Sequence, residues 1–135
     1  MTSLVDSSVI IAAFRQNETC HKQALNILQA AEKIIILDLV LSEILTVIKM
    51  REGLEVAKKV ADFLTCNEDV MIEKLDDDGY EETLNFFKNN KNKLSFVDTA
   101  LLIFGKVKKI TLTTFDKDLG KLNRNFSKPK GLQKR

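Results

Sequence analysis

Short apolar runs alternate with amphipathic segments along most of this chain. The run KIIIL at 33–37 has the length and β-branched content of a strand that is buried on both faces. Shorter apolar runs predict three further strands at 2–6, 70–75 and 110–113. Helical patterns separate these strands, and that alternation predicts an α/β domain with a largely parallel sheet and helices on both faces.

The helical segments are marked by apolar residues at i, i+3, i+4 and i+7. This spacing predicts amphipathic helices over about 18–32 and about 54–65. Between them, Asp38 is positioned to cap a helix that Gly53 ends. The predicted core positions are Ala24, Ile27, Leu28 and Ala31 on the first amphipathic helix and Val56, Val60, Phe63 and Leu64 on the second.

The composition is that of an ordinary globular domain, with 44% hydrophobic and 30% charged residues. With five Gly and one Pro there is no linker-like segment, so residues 1–135 are predicted to form a single domain. No apolar run approaches the roughly 18 residues of a membrane helix, and the N-terminal segment lacks the positive start of a secretion signal. We therefore expect a cytoplasmic protein in which Cys20 and Cys66 are reduced and buried.

Positive charge is concentrated towards the C-terminal end. Residues 117–135 hold seven Lys and Arg and one acid, which leaves fourteen basic and eighteen acidic residues, a net charge of −4, in the other 116. An acidic body with a basic tail, at about 127–135, suits a protein that binds a polyanion. A solvated tail that aids solubility explains the same charges equally well.

Four acids lie at or near the predicted turns between strands and helices. Asp6 ends the first strand, and Glu43 lies about a turn and a half into the helix after the second. Asp98 starts the helix before the fourth strand, and Asp116 follows that strand. The carboxyl ends of parallel strands meet at one edge of a sheet, so we expect these acids, the acidic quartet, to converge there.

Converging carboxylates require a counter-charge, and the apolar segments around the quartet contain no matching set of Lys or Arg. Oxygen ligands without a His or Cys cluster suit Mg²⁺ or Mn²⁺. Four acids are too few to enclose such an ion, so positions remain for water and phosphate. Because a bound metal activates water and neutralises a leaving oxygen, the quartet indicates phosphodiester hydrolysis.

Structural interpretations of the same acids remain open. Ser95 and Asp98 have the S-x-x-D spacing of a helix N-terminus, so the carboxylate could serve only to cap that helix. The other three could be a turn acid, a surface residue and an N-cap. The acidic run at 76–78 is interpreted as favouring a helix N-terminus, and His21 as a packing or capping residue rather than a base.

The segments around the quartet resemble the four motifs of PIN-domain ribonucleases, in the same order and with the usual spacing. They are LVDSSVIIAAF, LVLSEILTVIKMREG, LSFVDTALLIFGK and LTTFDKDL. The resemblance extends over about residues 3–126 and is greatest to the small VapC-type toxins of toxin–antitoxin pairs. It implies a three-layer α/β/α fold with a four- or five-stranded parallel sheet and a central first strand. The C-terminal NFSKPKGLQKR lacks a convincing final strand, which leaves the fifth strand open.

The resemblance also implies an activity and its residues. The quartet would bind Mg²⁺ or Mn²⁺ for endonucleolytic cleavage of RNA that leaves a 5′-phosphate. Ser8 matches the small polar residue after the first acid, Thr114 matches the hydroxyl before the last, and Asp118 matches an additional acid near the site. A homodimer and an antitoxin partner, whose basic side chain enters the acidic pocket, are implied as well.

Other functions fit only parts of the pattern. A PIN-fold module that binds RNA or protein without turnover has no need of all four acids. An aspartyl-phosphate phosphatase requires a second Asp where Ser8 stands, and a receiver domain requires an acid paired with Asp6 and an Asp at the end of the third strand, where Glu73 lies within the strand. The sequence therefore favours a metal-dependent endoribonuclease that is the toxin of a toxin–antitoxin pair.

Overall fold

The computed structural model describes residues 1–126, which contain four strands and seven helices. The strands are β1 (Thr2–Val5), β2 (Lys33–Leu37), β3 (Val70–Glu73) and β4 (Thr111–Thr113). The helices are α1 (Ser7–Phe14), α2 (His21–Ala30), α3 (Asp38–Glu52), α4 (Leu54–Cys66), α5 (Asp77–Asn89), α6 (Phe96–Lys108) and α7 (Lys117–Phe126).

The four strands form one parallel sheet in the order β3-β2-β1-β4. β1 therefore has a neighbour on each side, as the predicted central position requires. Leu4 and Val5 are successive residues of β1 that point to opposite faces of the sheet, and both are fully buried. Because both faces are covered by helices, the α/β/α architecture with a four-stranded parallel sheet is confirmed.

The helices form two groups that are distinguished by their contacts. Helices α1 to α4 pack on one another, whereas α6 packs against α5 and α7. At Gly105, α6 approaches β1 closely, since a Cβ there would lie 3.2 Å from the carbonyl oxygen of Ile110 and 3.5 Å from Cδ2 of Leu4. This approach holds α6, which carries Asp98, against the central strand.

Element boundaries differ from the predicted ones by a few residues. The helix expected from residue 18 begins at His21. Asp38 does not occupy the cap position of α3, which Leu37 takes; it is the first helical residue, and its Oδ1 accepts a hydrogen bond from the N–H of Leu39 at 2.9 Å. Gly53 ends α3 as predicted, with a φ of 95° that favours glycine.

The predicted core face of α4 was wrong at Phe63, which is 47% exposed. Its ring packs edge-on against Phe14, with the ring centroids 5.5 Å apart, at the margin of the core. Val60 and Leu64 are buried as predicted, each 1% exposed. Helical spacing defines the direction of a buried face, but its width depends on what packs against it.

Both cysteines are free, but the expectation that they are buried was wrong. Cys66 is exposed at the C-terminal end of α4, and Cys20 is half-buried before α2. No helix among residues 1–126 has the length and apolar character needed to cross a bilayer. The expected basic tail at about 127–135 lies outside the described residues, so the single-domain organisation of 1–135 stays a prediction.

Candidate active site

Asp6 lies at the carboxyl end of β1 and is 3% exposed. It is also the N-cap of α1, because its Oδ1 accepts a hydrogen bond from the backbone N–H of Ser8 at 3.1 Å. The Ser8 hydroxyl donates to the same oxygen at 2.6 Å, and the Thr114 hydroxyl donates to Oδ2. The carboxylate is therefore held in one orientation from both sides.

Ser8 and Thr114 also bind the turn that follows β4. Oγ of Ser8 accepts a hydrogen bond from the N–H of Phe115 at 3.1 Å, and Oγ1 of Thr114 accepts one from the N–H of Asp116 at 2.9 Å. Each hydroxyl thus donates to Asp6 and accepts from the β4 turn. The two hydroxyl groups therefore link the carboxylate of Asp6 to the backbone at Phe115 and Asp116.

Asp98 lies in the first turn of α6, half-buried, and takes part in the cap of that helix. Oγ of Ser95 accepts a hydrogen bond from the Asp98 N–H at 3.1 Å. Burial raises the pKa of Asp98 and so do the charges of Asp116 and Asp6, while hydrogen bonds from Ser95 lower it. The Ser95 hydroxyl therefore caps α6, as predicted, and the Asp98 carboxylate interacts with two other members of the quartet.

Glu43 is half-buried on α3 and faces the start of α1. Burial raises its pKa, a hydrogen bond with Ser7 lowers it, and the charges of Asp98 and Asp6 raise it further. Nothing in the sequence pattern singled out Ser7, although a serine directly after a strand-ending acid is the signal that could have done so.

Asp116 is exposed and caps the N-terminus of α7, because its Oδ1 accepts a hydrogen bond from the N–H of Leu119 at 2.9 Å. The N-cap interpretation is therefore confirmed for this residue, whose charge also acts on Asp98. Asp118, the additional acid, is exposed on the first turn of α7. The structure places it beside Asp116, in the same surface hollow.

The members of the quartet act on one another electrostatically and form no ion pair among residues 1–126. Burial raises the pKa of Asp6, although its hydrogen bonds with Ser8 and Thr114 oppose that shift. No Lys or Arg among residues 1–126 forms an ion pair with a member of the quartet. The structure therefore brings these acids close enough for their charges to interact, without the cations that would compensate them.

The donor atoms of the quartet suit a hard divalent cation. Among residues 1–126, no three Asp, Glu, His or Cys side chains are already arranged as a metal-binding group. The quartet nevertheless offers only carboxylate oxygens, the ligands that Mg²⁺ and Mn²⁺ prefer. Asp6 accepts hydrogen bonds from the hydroxyl groups of Ser8 and Thr114 and from the backbone N–H groups of Ser8 and Val9, and all of these favour its ionised form. We conclude that the residues fit such an ion in charge and donor type.

The acidic run at 76–78 and His21 were both predicted to have structural roles, and both take part in structural hydrogen bonds. Asp76 is the N-cap of α5, with its Oδ1 accepting a hydrogen bond from the N–H of Gly79 at 2.7 Å. Nδ1 of His21 lies 2.8 Å from the carbonyl oxygen of Ala12, to which it must donate. That bond joins α2 to α1.

A family model supplies the decisive comparison, since the model of the PIN domain matches residues 3–125. The chain belongs to the PIN domain family. The match includes the whole acidic quartet together with Ser8 and Thr114. A search of curated proteins found no match.

Solved structures share this PIN fold. The crystal structure of VapC20 from Mycobacterium tuberculosis, a toxin that cleaves the sarcin–ricin loop, has a TM-score of 0.82 and 22% identity over 89% of this chain and 94% of that chain. A toxin–antitoxin complex from Klebsiella pneumoniae has a TM-score of 0.64 and 19% identity over 86% of this chain and 88% of that chain. At these identities the similarity establishes the common fold.

Proposed function

We propose that this PIN protein is a metal-dependent endoribonuclease and the toxin of a toxin–antitoxin pair. The observation that carries the proposal is the acidic quartet, which four separate segments bring to one edge of the sheet with no ion pair to a Lys or Arg of the described part of the chain. Membership of the PIN family and the fold shared with VapC20, a toxin that cleaves the sarcin–ricin loop, support it.

The quartet would hold Mg²⁺ or Mn²⁺, which when bound supplies an activated water and neutralises charge on the leaving oxygen. The orientation of the Asp6 carboxylate is fixed, because the hydroxyl groups of Ser8 and Thr114 each donate a hydrogen bond to one of its oxygens. Asp116 is exposed, so the site is open to a phosphodiester on the side of α7. Cleavage on this side is proposed to leave a 5′-phosphate on the RNA product.

The proposed partners follow from the same chemistry. The toxin–antitoxin complex from Klebsiella pneumoniae supports an antitoxin partner for this chain. A basic side chain of that antitoxin would neutralise the carboxylates and so inhibit cleavage. A homodimer and a cytoplasmic location are proposed on the resemblance to VapC-type proteins.

Cleavage of RNA by the purified protein tests the proposal. We expect cleavage with Mg²⁺ or Mn²⁺, its loss in EDTA, and its return when Mn²⁺ is added in excess. In the absence of RNA, Mn²⁺ at a hundred times its dissociation constant should stabilise the fold by about 2.7 kcal/mol. RNA that remains intact with either ion, together with an unchanged melting temperature, would favour a non-catalytic binding module.

A further inference from the structure

Helix α7 presents a row of positive charges that begins next to the quartet. The row, called here the cationic row, consists of Lys117, Lys121 and Arg124. Residues at i, i+4 and i+7 share one face of a helix, and over seven residues they span about 10 Å. Leu119, fully buried, anchors another face of α7 to the core, so the cationic row lies on the outer surface.

The cationic row borders a shallow hollow of about 500 Å³ that continues from the candidate active site. Thr114 and Asp116 line the hollow together with all three cations, and Asp118 lines it as well. The Thr114 hydroxyl donates to Asp6, so the wall of this hollow is also part of the site. A chain that enters the hollow therefore meets Asp116, the quartet member that lines it.

The guanidinium of Arg124 lies close to Gly120 on the surface of α7. A Cβ at Gly120 would lie 3.5 Å from Nη1 of Arg124 and 3.8 Å from Cγ2 of Thr114. The guanidinium consequently lies back over α7, near the strand end that carries the site. This position directs its donors to the same hollow that the two lysines border.

The charges of the cationic row are not compensated within the described part of the chain. None of its three cations forms an ion pair with a carboxylate among residues 1–126. Arg15, by contrast, is paired with both Glu18 and Glu52. Uncompensated cations next to a concentration of acids would be complemented by a polyanion that passes along them towards the site.

We propose that the cationic row binds the phosphates of a single RNA strand that flank the phosphodiester to be cut. This inference rests on the proposed ribonuclease function and assigns its substrate a path along α7. Contacts with phosphate carry no sequence information, so the row sets affinity and register while the base preference arises elsewhere. Arg124 contributes a planar fork that fits phosphate, and the two lysines contribute point charges.

Binding of a fluorescein-labelled oligouridylate, followed by anisotropy in EDTA at several salt concentrations, tests the cationic row without turnover. The variant Lys117→Gln/Lys121→Gln/Arg124→Gln should bind more weakly, with a salt slope reduced by about 2, since each phosphate contact on a single strand contributes about 0.7. The control Lys22→Gln/Arg51→Gln/Lys59→Gln removes the same charge from exposed positions elsewhere and should keep the wild-type slope. Equal slopes in the two triple variants would overturn the inference.

Steady-state cleavage in Mn²⁺ distinguishes this inference from the ribonuclease proposal. The variant of the cationic row should raise KM and leave kcat near the wild-type value, because the quartet is intact. Metal-dependent cleavage with an unchanged KM would reject the RNA path and leave the nuclease standing. RNA binding that depends on the row, without cleavage in either metal, would retain the path and reject the nuclease.

Discussion

Two acidic clusters in this protein have similar composition and opposite surroundings. Asp76, Asp77 and Asp78 are consecutive, all are exposed, and the first caps α5. The acidic quartet is spread over more than a hundred residues of sequence and includes Asp6, which is 3% exposed. Water hydrates the first cluster at little cost, whereas Asp6, Glu43 and Asp98 lose hydration without forming an ion pair among residues 1–126. A run of consecutive acids is therefore a poor indicator of a functional site. Burial of carboxylates that form no ion pair is a better indicator.

Asparagine substitutions in the two clusters should give the largest difference. Asp98→Asn should reduce RNA cleavage on the order of 10²-fold or more, as expected when a group that stabilises charge in the transition state is removed. Asp78→Asn removes an equal charge from the first turn of α5 and should leave the rate within about twofold. Cleavage rates in saturating Mn²⁺, with circular dichroism as a check of folding, provide the measurement. A wild-type rate for Asp98→Asn would reduce this residue to a helix-capping role.

Hydroxyl groups near the two clusters allow a second comparison. Thr114→Val leaves Oδ2 of Asp6 and the N–H of Asp116 without their partner, so Mn²⁺ affinity or the rate should fall about 10- to 100-fold. Thr114→Ser keeps the hydroxyl and should restore most of the loss. At the other cluster, the Thr83 hydroxyl donates to the carbonyl of Gly79 at 2.7 Å.

Thr83→Val therefore serves as the matched control for Thr114→Val. It removes a buried hydroxyl in the middle of α5 and should alter stability while leaving cleavage and metal affinity unchanged. Isothermal titration with Mn²⁺ and rates for all three variants decide the outcome. Equal losses in Thr114→Ser and Thr114→Val would show that the side-chain volume, and not the hydroxyl, matters at this position.

Local patterns predicted much of the fold but only part of the site. The β-branched run of β2 and the alternation of elements were sufficient for a parallel α/β sheet, because each depends on residues close in sequence. The hydrogen bond between Thr114 and Asp6 joins residues that are 108 positions apart in the sequence. It requires the pairing of β1 with β4, which cannot be predicted from hydrophobic periodicity within a short segment. The role of Thr114 was therefore available only from the resemblance to PIN proteins. The exposure of Phe63 was missed for a related reason, since it depends on which helices cover α4.

The smallest expected effect concerns the stability of the metal-free protein as pH changes. Below the ordinary pKa of an aspartate, about 3.9, Asp98 is protonated in both the folded and unfolded states. Because burial and the charges of Asp116 and Asp6 raise its pKa in the folded state, the carboxyl's contribution to stability is lost as pH rises through that raised pKa. Wild type should therefore lose stability relative to Asp98→Asn as pH rises above about 4. Urea unfolding in EDTA measures the gap, and the exposed Asp78→Asn variant corrects for the general effect of pH. Added Mn²⁺ should reverse the order at neutral pH, because the ion stabilises wild type more than a variant with one ligand fewer. A gap that narrows as pH rises would contradict the interpretation of Asp98 as an uncompensated carboxylate.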